Sequence, residues 1–248
     1  MNSKAPPVVR KGIPDRVLVV VAAEVEARAV MAAFDRPLHA TAGRLWSMAE
    51  LDGRWSLLVT GIGKVNAAGA LVQALSAPRG YQLVINVGLA GSLPAGQRRA
   101  RLEIGQAVVA DPSVYADEGV ETETTFIQCA DLGFPIGGSV FSGPQVPVET
   151  RFAAIDATAD ACGPIATVST CSGTDARAEA VAARTGALAE AMEGASCAHV
   201  CAVLGVAFAE VRAISNTTGD RARQRWDVPR ALARMTDLVR SWRHASGE

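Results

Sequence analysis

The chain has 248 residues, 49% of them hydrophobic, 5% aromatic and 20% charged, with 24 lysines and arginines against 25 aspartates and glutamates. A formal net charge of −1 gives no basic excess to draw in a polyanion and no acidic solvating tail, so a nucleic-acid-binding role is excluded as a leading reading. With few aromatics, burial falls to Ala, Val, Leu and Ile, the composition of parallel strands covered by helices, and the length suits one large domain.

Residues 1–15 carry Lys4, Arg10, Lys11 and Asp15 without the order of a signal peptide, and read as a loose tail ahead of a domain over residues 16–248. Within residues 16–23, Val17 to Ala23 is a continuous apolar run, too short for a membrane span. These residues predict a strand, and Val25, Ala29, Val30 and Ala33 then predict a helix over residues 24–34. A second unit follows: a strand over 55–60, a turn at Gly61, Ile62 and Gly63, and a helix over 64–75. Residues 82–86 predict a third strand, ended by Gly88 to Gly91, and residues 104–110 a fourth. The polar, irregular stretch 111–145 holds an acidic run from Asp117 to Glu123 and reads as a segment covering a site. Further on, the pattern predicts strands over 165–169 and 207–214, and helices over 175–184, 193–204 and 228–244. Strands alternating with helices imply a three-layer α/β/α fold around a central mixed, largely parallel sheet.

The five cysteines, Cys129, Cys162, Cys171, Cys197 and Cys201, form an odd set without a CxxC pair, as expected of a reduced cytoplasmic protein. Cys197, His199 and Cys201 do not make a metal site, because a helix puts 197 and 201 on one face and turns 199 away. No metal or other cofactor is expected.

In open α/β sheets, ligands collect where the chain leaves the carboxyl ends of strands. Those positions hold Glu24 and Glu26, Gly61 to Lys64, Gly88 to Gly91, Ser172 and Gly173, Met192 and Glu193, and Ser215 and Asn216. Each has a plain structural reading alone: turn glycines, acids favoured by a helix dipole, an Asn capping its own backbone. Gly61-Ile62-Gly63 lacks the third glycine of a dinucleotide fingerprint, and Lys64 has no Walker spacing.

Their order along the chain resembles the nucleoside phosphorylase and nucleosidase superfamily. The resemblance is carried by residues 17–26, 60–65, 85–91, 104–111, 191–195 and 211–216. Within it, residues 117–126, 167–174 and 214–221 are similar to the futalosine hydrolases, which release hypoxanthine from futalosine in the alternative menaquinone route. The resemblance implies a small-molecule purine nucleoside as substrate, no nucleic acid or membrane partner, and a homo-oligomer. It implies Glu26 as the base that activates water and Glu193 as the acceptor of ribose hydroxyls, with Met192 packed on the sugar. Gly88, Leu89, Ala90, Phe126, Ser172, Gly173 and Asp220 are the other expected substrate contacts.

Asn216 carries the base preference. A 6-oxopurine offers acceptors at N7 and O6 that two amide hydrogens can serve, whereas an ionised carboxylate would repel both. The departing purine then needs hydrogen bonds, or a proton from Asp220 or water. Phosphorylases of the resembled superfamily place an arginine and a serine where this chain has Asn86 and Leu89, so water is the expected nucleophile. Arg212 reads as structural, and Lys64, Arg221 and Arg223 are candidate partners for the carboxylate arm of futalosine. Two alternatives stay open: a methylthioadenosine/S-adenosylhomocysteine or aminodeoxyfutalosine nucleosidase, and a non-catalytic nucleoside-binding protein.

Overall fold

The computed structural model describes residues 7–37, 44–94 and 100–245. In chain order its elements are β1 (Val8–Arg10), β2 (Val17–Val21), α1 (Glu24–Ala33), β3 (Ser47–Glu50), β4 (Trp55–Val59), α2 (Lys64–Ser76), β5 (Leu83–Ser92) and β6 (Ala107–Tyr115). Then come β7 (Gly119–Glu121), β8 (Phe126–Gln128), β9 (Gln145–Val146), β10 (Thr150–Phe152), α3 (Ala153–Asp156), β11 (Ala161–Thr167) and α4 (Asp175–Thr185). The last are β12 (Ala189–Ala191), α5 (Gly194–Leu204), β13 (Ala207–Thr217) and α6 (Val228–Ala245).

β2 shows why the sheet is covered on both sides. Its side chains alternate: Val17, Val19 and Val21 meet Val30 and Met31 of α1 and Met235, Leu238 and Trp242 of α6. Leu18 and Val20 face the other way, onto Ala67 and Leu71 of α2 and Cys197 and Cys201 of α5. Every β2 residue is buried, and each such Val or Leu contributes about 1.5–3 kcal/mol. A strand buried on both faces must be apolar throughout, which is the run the sequence displays. The expected three layers follow, with α1 and α6 on one face and α2 and α5 on the other.

The main sheet runs β12-β11-β6-β13-β5-β2-β4-β3, with β9 added on β6. Its pairings are mixed: β2 with β4 and β5, β13 with β5, and β11 with β6 and β12 are parallel. β3 with β4, β13 with β6, β9 with β6 and β12 with β5 are antiparallel. Because β12 bonds both β11 and β5, the strands β5, β13, β6, β11 and β12 close into a ring.

Several boundaries differ from expectation. Gly88 to Gly91 do not end the third strand; β5 continues to Ser92 because ladders from β13 and β12 hold it on both sides, overriding the weak strand preference of glycine. The fourth strand starts late, since Gly105 at φ 90° turns the chain, and runs on to Tyr115. β13 likewise includes Ser215 and Asn216. The strands β3 and β12, one an edge and the other only three residues long, were not anticipated. Of the segment expected as a loose tail, Val8–Arg10 pairs in parallel with β10 and Ile13 is buried, while residues 1–6 lie outside the described residues. Inside the stretch 111–145, β7 and β8 form a hairpin.

Candidate active site

Glu26 occupies the third position of α1, where a carboxylate can turn back onto the helix's free amides. Its Oε2 accepts hydrogen bonds from the N–H groups of Ala22 at 2.9 Å and Ala23 at 3.0 Å. Its Oε1 accepts from the N–H of Leu89 at 2.9 Å, so the side chain ties α1 to the middle of β5. What Leu89 supplies is therefore its backbone, while its side chain packs against the core shared with α1 and α6. Beside it, Gly88 gives the carboxylate room: a Cβ there would stand 2.7 Å from Glu26 Oε1 and 2.5 Å from Arg212 Nη1. Burial raises the pKa of Glu26, and the negative charge of Glu193 raises it further, against the opposing pull of the Leu89 N–H and Arg212. The outcome is a rigidly held carboxylate with more than the usual affinity for a proton.

Glu193 is the residue before α5, and its Oε1 accepts from the N–H of Gly63 at 3.0 Å. Gly63 adopts φ 92°, a conformation that glycine enters freely and that presents this N–H ahead of α2. Glu193 Oε2 lies 3.7 Å from Arg212 Nη1. Arg212, 1% exposed, donates from Nε to Glu210 Oε1 at 2.9 Å and from Nη2 to Asn86 Oδ1. Asn86 passes its own amide hydrogen to Val20 O at 3.1 Å, and Ser113 Oγ donates to Glu210. Arg212 thus joins Glu193 and Glu210 and stands against Glu26 across Gly88. Expected as a structural strand residue, it is the buried cation around which three carboxylates gather.

Two residues beyond Leu89 on β5, a bulge between Ile214 and Asn216 shifts the register of β13 by one residue, so Asn216 pairs with Gly91. Asn216 Oδ1 accepts from Ser215 Oγ at 2.9 Å, and its Nδ2 donates to Thr217 O at 3.2 Å, so one amide hydrogen is free for a base where two were expected. A cavity of about 230 Å³ opens here, lined by Gly91, Ser172, Gly173, Glu190, Asn216 and Trp226 among others. Ser172 donates its N–H to Glu190 Oε1 and its hydroxyl to Glu190 Oε2, each at 2.7 Å. Its donors are therefore committed to Glu190, a buried residue that sequence reasoning missed. A lone carboxylate between Ala189 and Ala191 was the available signal.

The remaining expected residues divide. Met192 is half-buried beside Glu193, and Ala90 is buried in β5. Phe126 sits in β8 with the Arg184 guanidinium 4.4 Å from its ring centre, a contact to the end of α4 and not to Glu26, Glu193 or Asn216. Asp220 is paired with Arg223 at 3.0 Å and bonded by the Ala222 N–H, which together lower its pKa and keep it ionised. Lys64 is bound by Asp117 and, at 2.8 Å, by Glu118; Asp117 also accepts from the Ser169 N–H at 2.6 Å, fastening the acidic run to α2 and to the chain beyond β11. Arg221 stacks on Trp226, and Arg223 also pairs with Asp175. Cys197 and Cys201 are buried beneath α2, whereas His199 meets Tyr115 and Phe141. Among the described residues no helix is long and apolar enough to cross a membrane.

A model of the phosphorylase superfamily matches residues 16–242. The futalosine hydrolase of Streptomyces coelicolor is 39% identical over 228 residues, covering 90% of this chain and 92% of its own. That of Acidothermus cellulolyticus is 36% identical over 224 residues, covering 88% and 86%. In fold, the chain matches the 5'-methylthioadenosine/S-adenosylhomocysteine nucleosidase of Neisseria meningitidis crystallised with methylthio-immucillin-A. That match has a TM-score of 0.72 and 20% identity over 95% of this chain and all of that one.

Proposed function

The chain belongs to the phosphorylase superfamily, and from that premise we propose that it hydrolyses the N-ribosidic bond of futalosine, releasing hypoxanthine. The observation that carries this reading is the cluster of Glu26, Glu193 and Arg212 around Gly88, together with relatives of that activity along most of the chain. By its name, the activity belongs to menaquinone biosynthesis.

Cleaving C1'–N9 puts positive charge on the sugar, so the site must hold a nucleophile on one side and receive the purine's electrons on the other. Glu26 takes a proton from water as the oxygen closes on C1'; three backbone N–H bonds fix the carboxylate's aim. Glu193 accepts from the ribose hydroxyls through the lone pairs left beside its Gly63 bond. The C1'–N9 electron pair moves into hypoxanthine, where the Asn216 amide donates to the acceptor edge. Asp220, held ionised by Arg223, is a poor proton donor, which leaves solvent water to complete the base. Phosphate is disfavoured as the nucleophile: Asn86 is buried and spends its amide on Arg212 and Val20. Exposed Ile62, Val65 and Val72, at the start of α2 and along it, support a homo-oligomer.

The test is incubation of purified protein with futalosine, inosine and methylthioadenosine, with and without phosphate, following free base by chromatography. Hypoxanthine from futalosine at a phosphate-independent rate supports the reading; adenine release alone, or no release, overturns it.

A further inference from the structure

Resting on the hydrolase reading above, we infer that Glu190 is a second base-specificity residue, accepting the N1–H of a 6-oxopurine while the one free amide hydrogen of Asn216 serves its O6/N7 edge.

The ring of strands places the two residues. Glu190 on β12 and Asn216 on β13 are both registered with Gly91 of β5, one on each side of it. Two strand spacings of about 4.8 Å separate their backbones by roughly 10 Å, the span of a flat bicyclic base with a hydrogen bond at each edge. Between them Gly91 contributes no side chain; a Cβ there would lie 3.0 Å from Asn216 Nδ2 and 2.8 Å from Thr218 Cγ2. Both residues line the same cavity.

The chemistry of Glu190 points to a donor on the ligand. It is 4% exposed, and the hydrogen bonds it receives among the described residues both come from Ser172. No lysine or arginine among the described residues lies within ion-pair distance of it, unlike Glu193 and Glu210. A carboxylate has about four lone-pair directions, so after the Ser172 bonds it retains acceptor capacity beside an open cavity. Burying such a group without further partners is costly, and a ligand N–H offsets that cost. A 6-oxopurine carries its donor at N1, next to the O6 that Asn216 reaches. A 6-aminopurine has a lone pair at N1, which the carboxylate repels. Ser172 acts through Glu190 by fixing the plane of the carboxylate and is a positioning residue.

The test compares kcat/KM for futalosine, its 6-amino counterpart and an N1-methylated 6-oxopurine nucleoside in the wild type, Glu190→Gln and Glu190→Ala. Glutamine can still accept from the Ser172 N–H and can donate to an N1 lone pair. Expected is a loss of about 100-fold on futalosine in Glu190→Gln, with the 6-oxo to 6-amino preference reversed. The wild type is expected to reject the N1-methyl substrate, a measurement that does not depend on a variant folding. An N1-methylated nucleoside cleaved as fast as its parent, or an unmoved 6-oxo to 6-amino ratio in a folded Glu190→Gln, overturns the inference. If the wild type releases no hypoxanthine from futalosine, it is the hydrolase reading that fails.

Discussion

Adding one methyl group at Gly88 is the sharpest probe of the catalytic end. A Cβ would stand 2.7 Å from Glu26 Oε1 and 2.5 Å from Arg212 Nη1, whereas ordinary contact begins at 3.4 Å. The two groups must therefore retreat by about 0.7 and 0.9 Å. Neither is a free chain end: Glu26 is bound by three backbone amides, and Arg212 by Glu210 and Asn86. The retreat strains the 2.9 Å bond from the Leu89 N–H and turns the carboxylate away from the water it activates. A misplacement near 1 Å at a reacting group costs on the order of 100-fold in rate, so kcat of Gly88→Ala should fall by about that factor. KM should change little, because the proposed base contacts lie three residues further along β5, at Gly91. Gly91→Ala is the matched control: its Cβ presses on Asn216 and Thr218, so it should raise KM. The assay is steady-state hypoxanthine release, with thermal unfolding to confirm that both variants fold. A folded Gly88→Ala with wild-type kcat would refute the placement of Glu26 as the working base.

Three further perturbations test the same cluster. Glu26→Gln should bind substrate and lose about 100- to 10,000-fold in turnover; full activity removes Glu26 from the mechanism. Glu26 must be ionised to accept a proton and its pKa is raised by burial and by Glu193. The rate should thus fall with acid along a limb lying above the ordinary carboxyl range; a limb at ordinary values contradicts the burial argument. The stability linkage runs the other way: the folded chain holds this proton more tightly than the unfolded one. That contribution is complete below the unfolded pKa and is lost as pH rises through the folded value. Arg212→Met strips three buried carboxylates of their shared cation and should cost about 3–5 kcal/mol, a fall of about 10 °C in Tm. An unchanged urea midpoint would show that Arg212 is not the hub of the cluster.

The layers and the first βα units were legible because β2 is buried on both faces and α1 on one, conditions that force an unbroken apolar run followed by a helical period. The positions of Glu26, Glu193 and Asn216 were legible as a constellation. What sequence pattern could not express was pairing. β12 is three residues long, and nothing local reveals that it closes a ring by bonding β5 as well as β11. With that strand unseen, Glu190 had no reason to face the cavity beside Gly91, and nothing showed that the donors of Ser172 serve Glu190. Arg212 was read as pairing structurally, but its partners were not legible: only the folded strands bring Asn86, Glu193 and Glu210 within its reach.

The cluster around Arg212 also carries an electrostatic consequence for the proposed substrate. Three carboxylates, Glu26, Glu193 and Glu210, against one guanidinium leave two negative charges in a buried site once Glu26 is ionised. Low-dielectric walls focus such a field outward. On the proposed function, a nucleoside bearing an anionic arm is therefore expected to enter sugar first, with its charged end turned toward solvent.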